Sequence, residues 1–346
     1  MRYRRLGRTG LYVSELCLGT MTWGGKGFWA VIGDLGLDAV TNQLKAALDA
    51  GVNFIDTANV YHEGESEKLT AAGLAKLGIN RQSLVLATKV RGRMGPGPND
   101  VGLSRKQILW SIDESLRRLG TDYVDLYQVH GVDTATPLEE TVDALGDVVR
   151  AGKVRYVGFC NMPAWQVMKA LAIADRRGLP RYVSAQVFYT VASRDIEREL
   201  VPLAKEEGLG ILPWSPLAGG LLSGKFRPDE GGPAGARRTS FDFPVVDKPR
   251  AFAVVEAMRP IAEAHGVSVA QVALGWLLHQ PHVTSVIIGA RTDAQLVDNL
   301  GSPKLSLTAD ELATLDQVSA LPPEYPGWMV SWQNDRDRNG DGSTRS

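Results

Sequence analysis

The chain has 346 residues, with 38 Lys and Arg against 39 Asp and Glu and a formal net charge of −1. That length suits one large α/β domain or two smaller ones, and the 44% apolar content is ample for a core. The near-zero charge leaves no footprint for nucleic acid or an anionic membrane, no apolar run approaches the ~20 residues of a membrane span, and two distant cysteines, Cys17 and Cys160, argue against a disulfide framework or structural zinc.

Residues 1–10 are basic and lack the apolar run of a signal peptide, which points to a cytoplasmic protein. Residues 3–6, 7–10 and 11–14 read as strand, turn and strand, a hairpin able to plug the bottom of a barrel. Short apolar runs bounded by breakers then recur at 16–19, 54–56, 84–89, 124–130, 155–159, 184–188, 210–213 and 286–288, the pattern of buried parallel strands. Helical patterns separate them. At 104–119, Ile108, Ile112 and Leu116 make an apolar stripe behind Ser104 as N-cap. At Thr136-Pro137, Pro137 reads as the first helical residue, with Glu139 and Glu140 near the positive end. Eight strand–helix units predict an α/β fold, a (β/α)8 TIM barrel with an N-terminal β-hairpin, and an open doubly wound sheet is the alternative. Long Gly-rich loops at 24–36, 91–102 and 217–248 all follow strand C-termini, where barrels carry their sites. Residues 1–330 read as one domain and 331–346 as a polar, disordered tail.

The residues that close the strands are Thr20, Asp56, Lys89, His130, Asn161, Gln186 and Ser215. Singly each has a bland reading: Asp56 a loop acid, Lys89 a solvated cation, Tyr61 a surface aromatic, His130 a structural histidine. Together, at one barrel mouth, an acid, a lysine and a histidine are costly unless paired or used. Tyr61 lies just past Asp56, in a loop with Gly64 that can fold back over that mouth. Reducing a carbonyl by hydride creates an alkoxide that needs a proton. A tyrosine, ordinarily titrating near ~10, can supply it if a lysine cation lowers its pKa by ~1–3 units. An aspartate would hold the lysine, and a histidine donor would orient the carbonyl oxygen. Trp23, Phe28 and Trp29 in the first long loop, with Tyr325, Trp328 and Trp332 near the end, suggest either a wall for a fairly bulky, hydrophobic substrate or a clamp for the C-terminal segment.

Three partial motifs mislead. Gly25-x-Gly27-x-x-Ala30 fits a dinucleotide fingerprint but does not join a strand to a helix; Gly224-Lys225 lacks the rest of a P-loop; the calcium-loop pattern beginning at Asp335 has Ser346 where Glu is needed.

Over nearly its whole length the chain resembles the aldo-keto reductase superfamily. The resemblance is carried by Leu18-Gly19-Thr20-Met21, by Asp56-Thr57-Ala58-Asn59-Val60-Tyr61 with Gly64, Ser66 and Glu67, by Leu126-Tyr127-Gln128-Val129-His130, by Gly158-Phe159-Cys160-Asn161, by Trp214-Ser215-Pro216-Leu217 and by Ile288-Gly289-Ala290-Arg291. The stretch from Trp214 to Lys225 is more similar to the bacterial and channel-β-subunit branches than to the mammalian aldose reductases. The resemblance implies Tyr61 as proton donor, tuned by Lys89 and Asp56, with His130 positioning the substrate. It implies NADPH as cofactor, held by Thr20, Met21, Asp56, Asn161 and Gln186 with Trp214 stacked on the nicotinamide. Ser215, Leu217, Gly219 and Lys225 would wrap the pyrophosphate, and Gly289, Arg291, Gln295 and Asn299 the adenosine end. Cys160 stands where the family often has Ser. Arg291 would open the last strand's helix and meet a 2′-phosphate there.

The expected activity is NADPH-dependent reduction of an aldehyde or ketone by a monomer or homo-oligomer with a small-molecule carbonyl substrate. A cofactor-binding regulatory or redox-sensing subunit with slow turnover is the alternative, because fold does not fix function. A metal-dependent hydrolase is disfavoured, since His130 has no plausible second and third ligand nearby in sequence.

Overall fold

The computed structural model describes residues 1–228, 232–233 and 235–333. Most of the expected tail, residues 334–346, and the calcium-loop pattern within it lie outside the described residues, while residues 331–333 complete a helix, so the boundary set at 330 falls inside an element.

Strands β1 (Tyr3–Arg5) and β2 (Tyr12–Ser14) pair antiparallel as the expected hairpin. Eight parallel strands come next: β3 (Leu16–Gly19), β4 (Phe54–Asp56), β5 (Val85–Val90), β6 (Val124–Val129), β7 (Val154–Cys160), β8 (Tyr182–Phe188), β9 (Gly210–Trp214) and β10 (Val286–Ile288). They run in the order β10-β3-β4-β5-β6-β7-β8-β9, and a parallel bridge from Ile211 to Val283 brings the two ends of that row together. This is a (β/α)8 barrel. Helices α1 (Leu37–Asp49), α2 (Glu65–Lys76), α3 (Arg105–Leu119), α4 (Leu138–Arg150), α5 (Ala164–Arg177) and α6 (Leu200–Glu207) cross between successive strands.

The last two units depart from one strand, one helix. Between β9 and β10 lie α7 (Arg237–Ser240), α8 (Lys248–His265) and α9 (Val269–His279); after β10 come α10 (Asp293–Gly301), α11 (Ala309–Val318) and α12 (Gly327–Gln333). Ser104 caps α3 by accepting the Gln107 N–H, as its sequence foretells. Pro137, expected as the first helical residue, is instead the N-cap of α4, its ψ of 134° being extended.

Strand alternation sorts the side chains into two cores. Leu16, Leu18, Ile55, Leu86, Tyr127 and Phe159 face the helices. Cys17, Phe54, Val85, Ala87, Leu126, Leu212 and Ile287 face inward, where Leu6 and Val13 of the hairpin join them and close the floor. The mouth at the strand C-termini is the open end.

Candidate active site

Along each inward column, an apolar residue gives way two positions later to a polar or aromatic one: Phe54 to Asp56, Ala87 to Lys89, Leu126 to Gln128 and then His130, Leu212 to Trp214. Period-2 alternation thus delivers these groups to one point. The Lys89 ammonium donates to Asp56 Oδ2 (2.6 Å), to the Thr57 carbonyl (2.8 Å) and to the Tyr61 hydroxyl (3.1 Å). Lys89 is fully buried, and Asp56 and Tyr61 nearly so. The other Asp56 oxygen accepts N–H groups from the Gln128 and Gln186 amides, each at 3.0 Å. Every donor of the ammonium therefore has a partner, and the carboxylate is held from both sides. The His130 ring lies edge-on to Tyr61, centroids 5.6 Å apart.

The electrostatics correct one expectation. The cation of Lys89 is expected to bring the Tyr61 hydroxyl below its ordinary value. Burial outweighs the lysine, and Tyr61 is pushed up to about 12. Burial also pulls on Lys89, but Asp56 and then Tyr61 overcome it, so the ammonium titrates above its usual range. Burial, then the charges of Lys89 and Arg91, hold His130 well below the ordinary histidine value. At neutrality the site is a carboxylate, an ammonium, a protonated phenol and an uncharged imidazole. The Cys160 thiol is buried, and burial pushes its pKa up, so it stays protonated.

The surrounding residues divide. Asn161 (φ 51°) accepts the Trp214 indole N–H at 2.9 Å and donates to the His130 carbonyl at 3.4 Å. Gln186 points into the mouth, and its amide N–H groups go to Asp56 and to Gln128 Oε1 (3.3 Å). Ser215 (φ 50°) accepts the Gly219 N–H at 3.1 Å, and Ala218, Gly219 and Gly220 are also left-handed. The Thr20 side chain is turned outward, continuing the parity of Leu16 and Leu18, and its hydroxyl is bonded to Ser66 on α2, while its backbone N–H donates to the Asp56 carbonyl at 3.0 Å. Trp214, expected to stack on the nicotinamide, has two ring neighbours, Phe243 stacked at 5.9 Å and Phe188 tilted at 5.1 Å.

At the far side of the mouth Lys225, Arg237 and Arg291 gather around the Gly219–Gly220 turn. Burial, then Arg238 and Arg291, push the Arg237 guanidinium down to about 10, and its buried Nε–H has no partner among the described residues. Lys225 is lowered by burial, then by Arg291 and Arg237. A Cβ on Gly219 would stand 2.4 Å from the Arg237 Nη2, so no side chain fits between that guanidinium and the turn. Nothing in the sequence singles out Arg237 beyond its place next to Arg238. Arg291 lies where expected after β10 but outside the helix: Thr292 is the N-cap of α10, and Arg291 precedes it, donating to the Gly235 carbonyl at 3.1 Å. The Gln295 side chain accepts the Arg291 N–H at 3.0 Å, and Asn299 is buried on the same helix, while Gly289 is exposed beside Gly19. Met21 presents its carbonyl to His62, and Leu217 is the N-cap of the turn at 218–223.

Of the six aromatics read as either a wall or a clamp, Trp23 is fully buried and donates to Gln43 in the core. Phe28 and Trp29 reach the mouth, Trp29 lying edge-on to Tyr61 at 5.0 Å. Tyr325 packs on Trp328, in a segment that Arg198 ties down through Pro322 and Glu324; Trp332 is exposed on α12. Among the described residues no three His, Cys, Asp or Glu converge as a metal-binding group.

A family model described as the aldo/keto reductase family matches residues 15–320. An uncharacterized oxidoreductase of Bacillus subtilis, YrpG, is 38% identical over 95% of this chain and 100% of its own length. A probable voltage-gated potassium channel subunit beta of Arabidopsis thaliana is 36% identical over 94% of this chain and 99% of its own. Versiconal hemiacetal acetate reductase of Aspergillus parasiticus is 33% identical over 94% of this chain and 99% of its own.

Proposed function

Because the chain belongs to the aldo-keto reductase family, we propose that it reduces an aldehyde or ketone to the alcohol with NADPH, Tyr61 delivering the proton. The observation that carries this reading is the buried Asp56–Lys89–Tyr61 relay with an uncharged histidine beside it. Its experiment is a carbonyl panel, aliphatic and aromatic, offered with NADPH and with NADH and read as loss of nicotinamide absorbance; no consumption with any member overturns it.

The residues fit a dinucleotide. Three cations crowded around a left-handed glycine turn, one with a buried N–H lacking a partner, are costly without an anion and suit phosphate groups. With both Gln186 N–H groups turned inward, its carbonyl oxygen is the group left to receive a carboxamide N–H. A nicotinamide stacked on Trp214 would share that ring with Phe243. The bound dihydronicotinamide supplies a hydride. The chain supplies the rest. His130, uncharged, donates an N–H to the carbonyl oxygen and orients it. Tyr61 holds its proton at neutrality and releases it to the developing alkoxide, and the Lys89 ammonium 3.1 Å away steadies the phenolate left behind. Asp56 keeps that ammonium charged and in place.

A Tyr61 pushed up to about 12 has a kinetic signature. The acid form is needed, so kcat/KM for the carbonyl at saturating NADPH stays level from neutrality upward and falls only above the ordinary tyrosine value of 10.0. An alkaline limb centred near pH ~8 would mean that another group sets the proton supply.

Arg291 is proposed to read the 2′-phosphate. One charge-assisted hydrogen bond contributes ~1.5–3 kcal/mol, or roughly ten- to a hundredfold in affinity. Arg291→Ala is expected to weaken NADPH binding by that order while hardly changing NADH, measured by fluorescence titration. Equal losses would leave Arg291 a loop support. A second reading, a slow cofactor-bearing regulatory subunit, draws on the likeness to the channel subunit. Stopped-flow oxidation of bound cofactor by an aldehyde separates the two.

A further inference from the structure

We propose that His62 is a positioning residue that sets which carbonyl compounds the mouth accepts, by clamping the 24–27 turn onto the tyrosine turn and so holding Trp29 and Phe28 in place as one wall. It rests on the carbonyl-reductase reading and adds a specificity-determining group to it.

The clamp is visible in its contacts. His62 and Glu63 succeed Tyr61 in left-handed backbone (φ 50° and 59°), a conformation that costs a side-chain-bearing residue ~1–3 kcal/mol unless its surroundings enforce it. That backbone turns the imidazole away from the barrel axis and under the neighbouring loop. Its Nδ1 accepts the N–H groups of Gly25 (2.9 Å) and Lys26 (3.2 Å), which leaves Nε2–H as the donor to the Met21 carbonyl at 3.0 Å. The ring is fully buried, and burial holds its pKa below the ordinary histidine value, so it stays the neutral tautomer these three bonds require. Gly24, at φ +142°, lies flat on the ring: a Cβ there would stand 2.4 Å from His62 Cγ. Gly27 fits as closely over the Glu63 carboxylate, and Lys26 pairs with Glu65 at 2.9 Å.

The clamp carries a row of rings. Tyr61 meets Trp29 at 5.0 Å, Trp29 meets Phe28 at 5.9 Å, and Phe28 crosses to Phe241 at 5.4 Å. Phe241 meets Phe243 at 5.5 Å, and Phe243 stacks on Trp214. Two loops, one after β3 and one after β9, whose strands flank β10, thus close an aromatic arc from the proton donor to the tryptophan of β9. Phe28 and Trp29 have no strand of their own; they sit in a short 3-10 turn, Gly27–Val31, without a side-chain cap, and His62 holds the two residues just before it, Gly25 and Lys26. Flat apolar carbonyl compounds use this wall, and small aliphatic ones do not.

The test compares 2-naphthaldehyde with propanal in wild type, His62→Ala, His62→Gln, Trp29→Ala and the double variant His62→Ala/Trp29→Ala. In His62→Ala the kcat/KM ratio of naphthaldehyde to propanal is expected to fall roughly three- to tenfold, the worth of one aromatic contact, with the loss in the KM for naphthaldehyde. Because His62 acts through Trp29, the double variant is expected to lose no more than either single one. Gln, with one acceptor and one donor, restores much of the ratio. An unchanged ratio, or additive losses in the double variant, overturns the proposal while leaving carbonyl reduction intact. Amide exchange by mass spectrometry decides independently of turnover. Residues 22–30 exchange at least tenfold faster in His62→Ala if the clamp holds the turn, and wild-type exchange there overturns the proposal even if neither aldehyde is consumed.

Discussion

Tyr61→Phe is expected to cost at least ~10²-fold in carbonyl turnover, the usual contribution of a positioned acid, while cofactor affinity and thermal stability stay close to wild type. The ring of Phe fills the same space against Trp29 and His130, since both meet it by ring edges and faces. Only the hydroxyl goes, and with it one of the three acceptors of the Lys89 ammonium. The ammonium keeps Asp56 and the Thr57 carbonyl, so the loss falls on the proton and not on the fold. The measurement is kcat with a reactive aldehyde alongside cofactor titration. Turnover within threefold of wild type would remove Tyr61 from the chemistry.

Lys89→Met and Asp56→Leu should each destabilise the protein by ~3–5 kcal/mol, because each leaves a buried charge without its counter-charge. The two losses are not equal. Without Lys89, Asp56 still receives the amide N–H groups of Gln128 and Gln186. Without Asp56, the ammonium has only the Thr57 carbonyl and the Tyr61 hydroxyl, neither of them charged at neutrality. Asp56→Leu is therefore expected to be the worse. The double variant removes both charges and should recover most of the stability, while its turnover stays lost. Denaturant midpoints of the four proteins check this. Additive destabilisation in the double variant would mean that cavity and strain, not stranded charge, dominate.

The barrel is legible in the sequence because its signal is repeated: eight apolar runs alternating with helical patterns, of which 16–19, 54–56 and 286–288 coincide with β3, β4 and β10 residue for residue. The relay is legible because Asp56 and Lys89 stand at or next to strand ends and Tyr61 lies in the loop just past Asp56. The omissions trace to parity. Taking each strand's last polar residue as a mouth residue includes Thr20, whose outward parity sends it to Ser66, and passes over Gln128, which stands two residues before His130 and is inward by the same rule. Trp23 shares a loop with Phe28 and Trp29, and nothing in the local pattern separates the three; yet it is buried against Gln43 while they reach the mouth. The direction of the Tyr61 shift is hidden for a different reason. A sequence names the neighbouring cation but not the depth of burial, and here burial is the larger influence.

The hairpin floor bears on how this chain reaches its native state. Arg4, beside the plugging Leu6, donates to the carbonyls of Leu278 and Val283, and β3 takes β10 as one of its two neighbours, Leu16 opposite Val286 and Leu18 opposite Ile288. The beginning of the polypeptide is thus completed by its last quarter. Such distant pairings close a very long loop and raise the contact order, which slows folding. During synthesis from the N-terminus, β3 has only β4 beside it until roughly 270 further residues have been added, with its other edge open to misplaced partners. A fragment ending at 280 would keep seven of the barrel strands and lack the one that seals the ring, leaving β3 and β9 as bare edges suited to self-association.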